Sequence, residues 1–285
     1  MSRNTRMAME RTGAWIINST TDTWPYDHWM DGGLASGIRC MLGGGSLIDV
    51  GAGVGEYGGY FAGCSASGVP SPTWEGIDGS PGIESISQTG PPGVLVKQVD
   101  LCQPVSSTFK KHDWVMSLEV GEHIPQPCLA TYLATLDRLN RIGIVLSWAR
   151  PFVQTGRGHV SPRLGPAVDH MMSFLGYENA PNATRALSQL ALIHHLKMNI
   201  RVFLKVESIL PPNLGAPARR AFVDRFERRA SRQCSPMLSR SCVITALAKC
   251  SRDNSSSSGG SGKDSSGGKV PIVEQCACIH RSCGA

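Results

Sequence analysis

Apolar positions along this chain follow two periods in turn. Short, nearly continuous apolar runs at residues 47–50, 93–99, 113–116 and 142–148 read as strands buried on both faces. Between and after them apolar residues recur every third or fourth position: Leu129, Tyr132, Leu133, Leu136 and Leu139 within 126–140, a further helix over 164–175, and Leu187, Leu190, Ala191, His194 and Met198 ahead of an alternating strand at 200–206. Residues 30–42 also turn apolar at helical spacing, and Gly176-Tyr177-Glu178 marks one more short strand. Strands alternating with helices predict an α/β fold with a mostly parallel sheet, because parallel neighbours need crossover connections.

The stretch at 46–61, SLIDVGAGVGEYGGYF, organises the rest. A buried strand carrying Asp49 runs into glycines at alternate positions, Gly51, Gly53 and Gly55. Without Cβ atoms these residues allow positive φ and close approach of a ligand to the backbone, and the N–H groups opening the next helix offer donors. A glycine turn also opens the nicotinamide fingerprint, but here the spacing is G-x-G-x-G and the acid precedes the first glycine by two residues.

At this point the chain resembles the class I S-adenosylmethionine-dependent methyltransferases, whose first motif reads acid-x-G-x-G-x-G. The resemblance continues through further motifs over residues 24–206 and is to the type 11, ubiquinone-biosynthesis O-methyltransferase-like branch. It implies a Rossmann-like, seven-stranded, mostly parallel sheet with an antiparallel last strand inserted beside strand six and helices on both faces. It also implies S-adenosylmethionine as cofactor, with Asp49, Gly51, Gly53 and Gly55 around the methionine moiety. By the same resemblance Asp78, ending the strand Trp74-Glu75-Gly76-Ile77-Asp78, would hold both ribose hydroxyls. Its local alternative is a helix cap ahead of Pro81. Asp100 and Leu101 would meet the adenine, or Asp100 is a surface turn acid. Ser147, Trp148 and Ala149 would lie beside the acceptor pocket.

The fourth strand leads into Ser117-Leu118-Glu119-Val120-Gly121-Glu122-His123, at the edge where open α/β sheets bind ligands, with Leu118 at the cofactor. This segment resembles the corresponding motif of the ubiquinone-biosynthesis enzymes and also the metal loop of plant small-RNA 2′-O-methyltransferases. Three readings stay open. Glu119, Glu122 and His123, joined by His159, could hold Mg2+ or another divalent cation. His123, supported by Glu122, could act alone as general base. Or Glu122 and His123 could cap the next helix without chemistry. The paired His194 and His195 point apart on a helix and read as structural.

Composition adjusts this picture at the ends. The chain has 285 residues, 41% of them hydrophobic, and a net charge of +6. Residues 1–206 carry 16 Lys and Arg against 16 Asp and Glu, so the excess lies in 207–285, with 12 against 6. A neutral core favours a small-molecule acceptor methylated on O or N over nucleic acid, for which only the basic tail is an electrostatic arm. A metal-assisted RNA 2′-O-methyltransferase and a non-catalytic cofactor-binding protein remain alternatives. The domain reading is an N-terminal segment at 1–23, the methyltransferase domain at 24–206, and a basic, Ser/Gly-rich tail at 207–285, expected to be disordered through most of its length, with AFVDRFERRASRQ able to form a short basic helix. Trp24, Tyr26, His28 and Trp29 are either a lid over the site or core packing. The spacing Cys276-x-Cys278 with His280 and Cys283 could bind zinc but matches no regular finger. No secretory leader or apolar span is apparent, so reduced thiols and a soluble cytoplasmic protein are expected, with oligomeric state undetermined.

Overall fold

A computed structural model describes residues 9–16, 30–63, 70–88, 94–206 and 215–234. The aromatics at 24–29 and the cysteines beyond 234 fall outside them.

The apolar runs form a seven-stranded sheet. In chain order the strands are β1 (Ser46–Val50), β2 (Thr73–Asp78), β3 (Val96–Gln98), β4 (His112–Ser117), β5 (Asn140–Leu146), β6 (Tyr177–Asn179) and β7 (Arg201–Lys205), arranged 3-2-1-4-5-7-6. Neighbours among β1 to β5 are parallel, whereas β7 runs antiparallel to both β5 and β6. The expected insertion of an antiparallel last strand beside strand six is therefore present. Strand order reverses between β1 and β4, which opens a crevice at their carboxyl ends.

Alternation along each strand splits the core in two. Leu47, Trp114, Met116, Val145 and Val202 face one side, under α1 (Gly32–Leu42), α2 (Glu56–Gly63) and α6 (Pro181–Leu190). Ile48, Val115, Ile144, Leu146 and Phe203 face the other, under α4 (Leu129–Leu139) and α5 (Gly165–Phe174). The short α3 (Ile83–Ser87) follows β2.

The periodicity through Met198 suggests one helix, but α6 ends at Leu190 and α7 (His194–Asn199) starts anew. Asp31 explains the break. One of its oxygens caps α1 by accepting from Leu34 N at 2.8 Å, and the other takes Leu192 N and Ile193 N, both at 2.7 Å. The side chain thus replaces the helical acceptors of Leu192 and Ile193, two of the three residues between α6 and α7.

Two expectations about the tail and the thiols are corrected. The segment assigned to a disordered tail contains α8 (Ala216–Cys234), whose Val223 and Ala230 are buried in the core and whose Phe222 and Phe226 are half-buried against it. Glu227 of α8 accepts from Asn182 N and Nδ2, both at 2.7 Å, and so caps α6 from another helix. Its arginines hide this apolar face from a reading based on charge.

The four cysteines among the described residues are not reduced: Cys40 pairs with Cys234, and Cys102 with Cys128, with Cα atoms 5.6 and 4.6 Å apart. Folding returns α8 to α1 and the loop after β3 to the start of α4, proximities that sequence separation conceals. The thiol-based ground for a cytoplasmic location falls away with this pairing. Among the described residues no helix is long and apolar enough to cross a membrane.

Glu227→Ala should lower the free energy of unfolding by about 1–2 kcal/mol, since it removes the carboxylate that Asn182 and the buried Ala183 N donate to at the start of α6. Urea denaturation measures this, and an unchanged midpoint would mean that α8 contributes no fixed cap.

Candidate functional site

The turn after β1 is built as the glycine spacing requires. Gly51 has φ 83° and packs so tightly that a Cβ would lie 2.3 Å from Val120 Cγ2. The N–H groups of Gly51 and Ala52 donate to Ile77 O at 2.8 and 3.1 Å, locking the turn to β2. Gly53 N donates to Asp78 Oδ2 at 2.9 Å, and Asp78 Oδ1 accepts from Ser80 N and Oγ at 2.8 and 2.6 Å. Asp78 is therefore fixed between the glycine turn and the loop after β2. It does not cap α3, whose N-cap is Gly82.

Two adjoining cavities occupy the crevice. The larger, about 540 Å³, is bounded by Asp49, Gly51, Gly53, Glu122, His123 and His159, with Leu118 and Glu119 also on its wall. The smaller, about 110 Å³, lies between Asp78, Leu101, Leu118 and the segment Thr12-Gly13-Ala14-Trp15. Two expected contacts are absent from both. Gly55 instead packs under Val94 and Trp74, where a Cβ would lie 2.4 Å from Val94 Cγ1. Asp100 is exposed and accepts from Cys102 N at 2.8 Å, closing its own turn, which matches the surface-acid alternative.

The turn after β4 carries the chemistry-bearing side chains. Ligand atoms of Glu122, His123 and His159 all lie within 4.8 Å of one another. Glu119, the fourth expected member, stands outside this group: its carboxylate accepts from Gln154 Nε2 at 2.5 Å and Asn199 Nδ2 at 3.2 Å. Glu119 also has φ 55°, strained for a residue with a Cβ, and its N–H is held by Ser147 Oγ at 2.8 Å. Ser147 thus supports the wall rather than forming it. Trp148 is buried and donates to Ser161 O at 2.8 Å.

Both histidines have an assignable tautomer. His123 Nδ1 lies 3.1 Å from Gly158 O, and His159 Nδ1 lies 2.9 Å from Gln154 O. A carbonyl only accepts, so each Nδ1 carries a proton, and a neutral ring keeps its lone pair on Nε2. The rings meet edge to face with centroids 4.8 Å apart.

Electrostatically the cavity is unusual in its buried acids. Burial, followed by repulsion from Asp78, pushes the Asp49 carboxyl up to about 8. Burial, then neighbouring Glu119, raises Glu122 well above the ordinary carboxylate range, and neither Glu122 oxygen has a hydrogen-bond partner.

Sequence reasoning missed the 9–16 strap. Gly13, φ 89°, sits where a Cβ would be 2.1 Å from His123 O, and the Trp15 ring is 5.4 Å from the His123 ring. No signal beyond the aromatic itself marked Trp15. His195, read as structural, borders the mouth of the larger cavity, as does Arg157.

No protein-family model matches the chain, and no curated protein matches it significantly. Solved structures do. A magnesium protoporphyrin IX methyltransferase from Synechocystis PCC 6803 with bound SAH is 15% identical over 61% of this chain and 82% of its own, with a TM-score of 0.40. A TehB-like SAM-dependent methyltransferase from Corynebacterium glutamicum is 18% identical over 60% and 86%, at 0.44. The methyltransferase domain of a bacterial Hen1 protein is 14% identical over 52% and 86%, at 0.41. By the order of its own seven strands, its antiparallel β7 and the acid-led glycine turn after β1, the chain has the fold of the class I S-adenosylmethionine-dependent methyltransferases.

Proposed function

We propose that the protein transfers the methyl group of S-adenosylmethionine to an oxygen or nitrogen atom of a small-molecule acceptor. The observation that carries this reading is Asp78. Its carboxylate is pinned by Gly53 N on Oδ2 and by Ser80 N and Oγ on Oδ1 at the wall of the smaller cavity, which leaves a lone pair on Oδ2 for a ribose hydroxyl. Leu101 would then lie against the adenine. Asp49 and the glycine turn would face the methionine end, so that the methyl group reaches the larger cavity beside His123.

Chemistry at such a site is one in-line displacement. The acceptor lone pair attacks the methyl carbon, the carbon–sulfur bond breaks, and S-adenosylhomocysteine leaves. The cofactor already activates the methyl group, which leaves alignment and proton removal to the protein. His123 is suited to the second task because its Nδ1–H is committed to Gly158 O and Nε2 is basic.

A second reading is supported by the Glu122, His123 and His159 group. A buried carboxylate without partners and two Nε2 lone pairs, each ring held by a carbonyl behind it, match the donor chemistry of a divalent-cation site. A cation held there would lower the pKa of an acceptor hydroxyl. The two readings compete for one atom, since His123 Nε2 cannot be both ligand and base. The bacterial Hen1 domain shares the fold but brings no acceptor to this chain.

Calorimetric titration with S-adenosylhomocysteine tests the first reading. Binding should be detectable in the wild type and weakened at least tenfold in Asp78→Ala. Equal affinity for a folded variant would remove the ribose assignment.

Asp49 supplies a test with a sign. Its carboxyl is held above the unfolded value of 3.8, so the folded state keeps a proton that the unfolded chain releases. Stability should be greatest near or below that value and fall as pH rises towards about 8, by at most about 1.4 kcal/mol per pH unit from this group. Asp49→Asn should flatten that slope by about one proton in pH-dependent thermal unfolding. An unaltered slope would show that Asp49 titrates normally.

For the cation, full methyl transfer in excess chelator would exclude an essential dissociable metal. The metal reading expects loss of activity in chelator, recovery with magnesium or manganese, and loss of manganese binding by electron paramagnetic resonance in Glu122→Gln.

A further inference from the structure

We infer that the acceptor carries an anionic group, a carboxylate or phosphate ester, and that Arg157 receives it. This rests on the methyl-transfer reading above and assigns Arg157 as the residue that selects the substrate class.

The position of Arg157 is fixed by its surroundings although its side chain is exposed. Gly156 lies so close to His159 that a Cβ would be 2.4 Å from Nε2. Gly158, φ 73°, accepts from His123 Nδ1 through its carbonyl, and a Cβ there would strike the Met9 sulfur. Two residues further, Val160 N and Ser161 N donate to Glu122 O at 2.8 and 2.9 Å. The loop is thus fastened to the turn bearing Glu122 and His123 just after residue 157, and before it Gln154 donates to Glu119. A side chain as long as arginine projects from this anchor at the mouth of the larger cavity.

Among the described residues Arg157 is the only lysine or arginine on that cavity's wall. Among the described residues it makes no ion pair or hydrogen bond. The wall's acids are held elsewhere and none pairs with it: Glu119 accepts from Gln154 and Asn199, and Glu56 from Met30 N at 3.2 Å. A neutral acceptor offers the guanidinium only neutral hydrogen-bond acceptors, which bind it more weakly than an anion does. A carboxylate or phosphate matches its planar fork with two parallel hydrogen bonds. The acidic wall and the single cation at its mouth would orient such an acceptor with its anion outward and its nucleophilic atom inward, towards His123.

The cofactor's own carboxylate is a competing anion, and the test separates the two. Nitrogen-15 spectra of the arginine Nε–H groups are recorded on the full chain with and without S-adenosylhomocysteine, with the Arg157 signal assigned by its loss in Arg157→Gln. The probes are 4-hydroxybenzoate, phenyl phosphate and, as the neutral control, phenol. Both anions, or one of them, should shift the Arg157 signal while phenol does not, and which one does identifies the preferred group. Arg157→Gln should weaken binding of that anion about tenfold, with Arg157→Lys between. Equal response to phenol, or no response to either anion, would overturn the proposal. So would an Arg157→Gln variant that loses affinity for S-adenosylhomocysteine but not for 5′-methylthioadenosine, which lacks the carboxylate, while binding the anions as before. Failure of the wild type to bind S-adenosylhomocysteine would instead remove the methyl-transfer reading, and the anion titration of the free protein would still decide the role of Arg157.

Discussion

The backbone of the turn at residues 121–124 is the constraint on which the site depends. Its carbonyls meet distant segments. The Ser161 hydroxyl shares its one proton between Gly121 O and Ile124 O, Val160 N and Ser161 N donate to Glu122 O, and Gly13 packs against His123 O. Gly121 itself faces the Trp148 ring, where a Cβ would lie 2.4 Å away. Three pieces of chain, at 9–16, 117–124 and 147–161, therefore share one small volume, and none can move without disturbing the others. Holding the backbone from behind frees Glu122 and His123 to face the cavity, because their own polar main-chain groups need nothing from it.

Asp31 plays the corresponding role on the opposite wall. It is 1% exposed, and burial raises its pKa, yet its two oxygens stitch the start of α1 to the α6–α7 junction. That stitch brings Leu196 and His195 to the same cavity as Met30 and Tyr57. One carboxylate thereby joins elements some 160 residues apart. Its short reach explains why α6 and α7 are two helices although their apolar residues keep one phase.

What was legible in the sequence follows the same physics. The strands could be read because burial on both faces leaves a continuous apolar run, and the glycine turn because positive φ at Gly51 restricts the residue type. Asp78 was legible because it ends a strand next to that turn. A short basic helix could be read within α8, but its docking on the core could not, because its apolar side is narrow and interleaved with arginines such as Arg225, Arg228 and Arg229. The disulfides were hidden for another reason: Cys40 and Cys234 are 194 residues apart, and only the docking of α8 brings them together. Gly55 and Asp100 fit their motif positions by spacing alone, and local packing took both elsewhere. Glu119 was drawn away by Gln154 and Asn199, partners whose approach depends on the loop after β5 and on α7.

The buried acids of the site make sense together rather than singly. An isolated carboxylate out of water keeps its proton, as Asp49 does up to about 8, and burial likewise raises Glu122 well above the ordinary carboxylate range. Each would surrender it to a neighbouring positive charge. On the proposed reading S-adenosylmethionine brings two such charges, an ammonium and a sulfonium, so ionisation of the wall and arrival of the cofactor are one linked event. Transfer then removes the sulfonium charge, and the acids it had ionised lose part of the reason to stay ionised. A site of this kind holds the charged cofactor more favourably than its neutral-sulfur product, without any contact being broken.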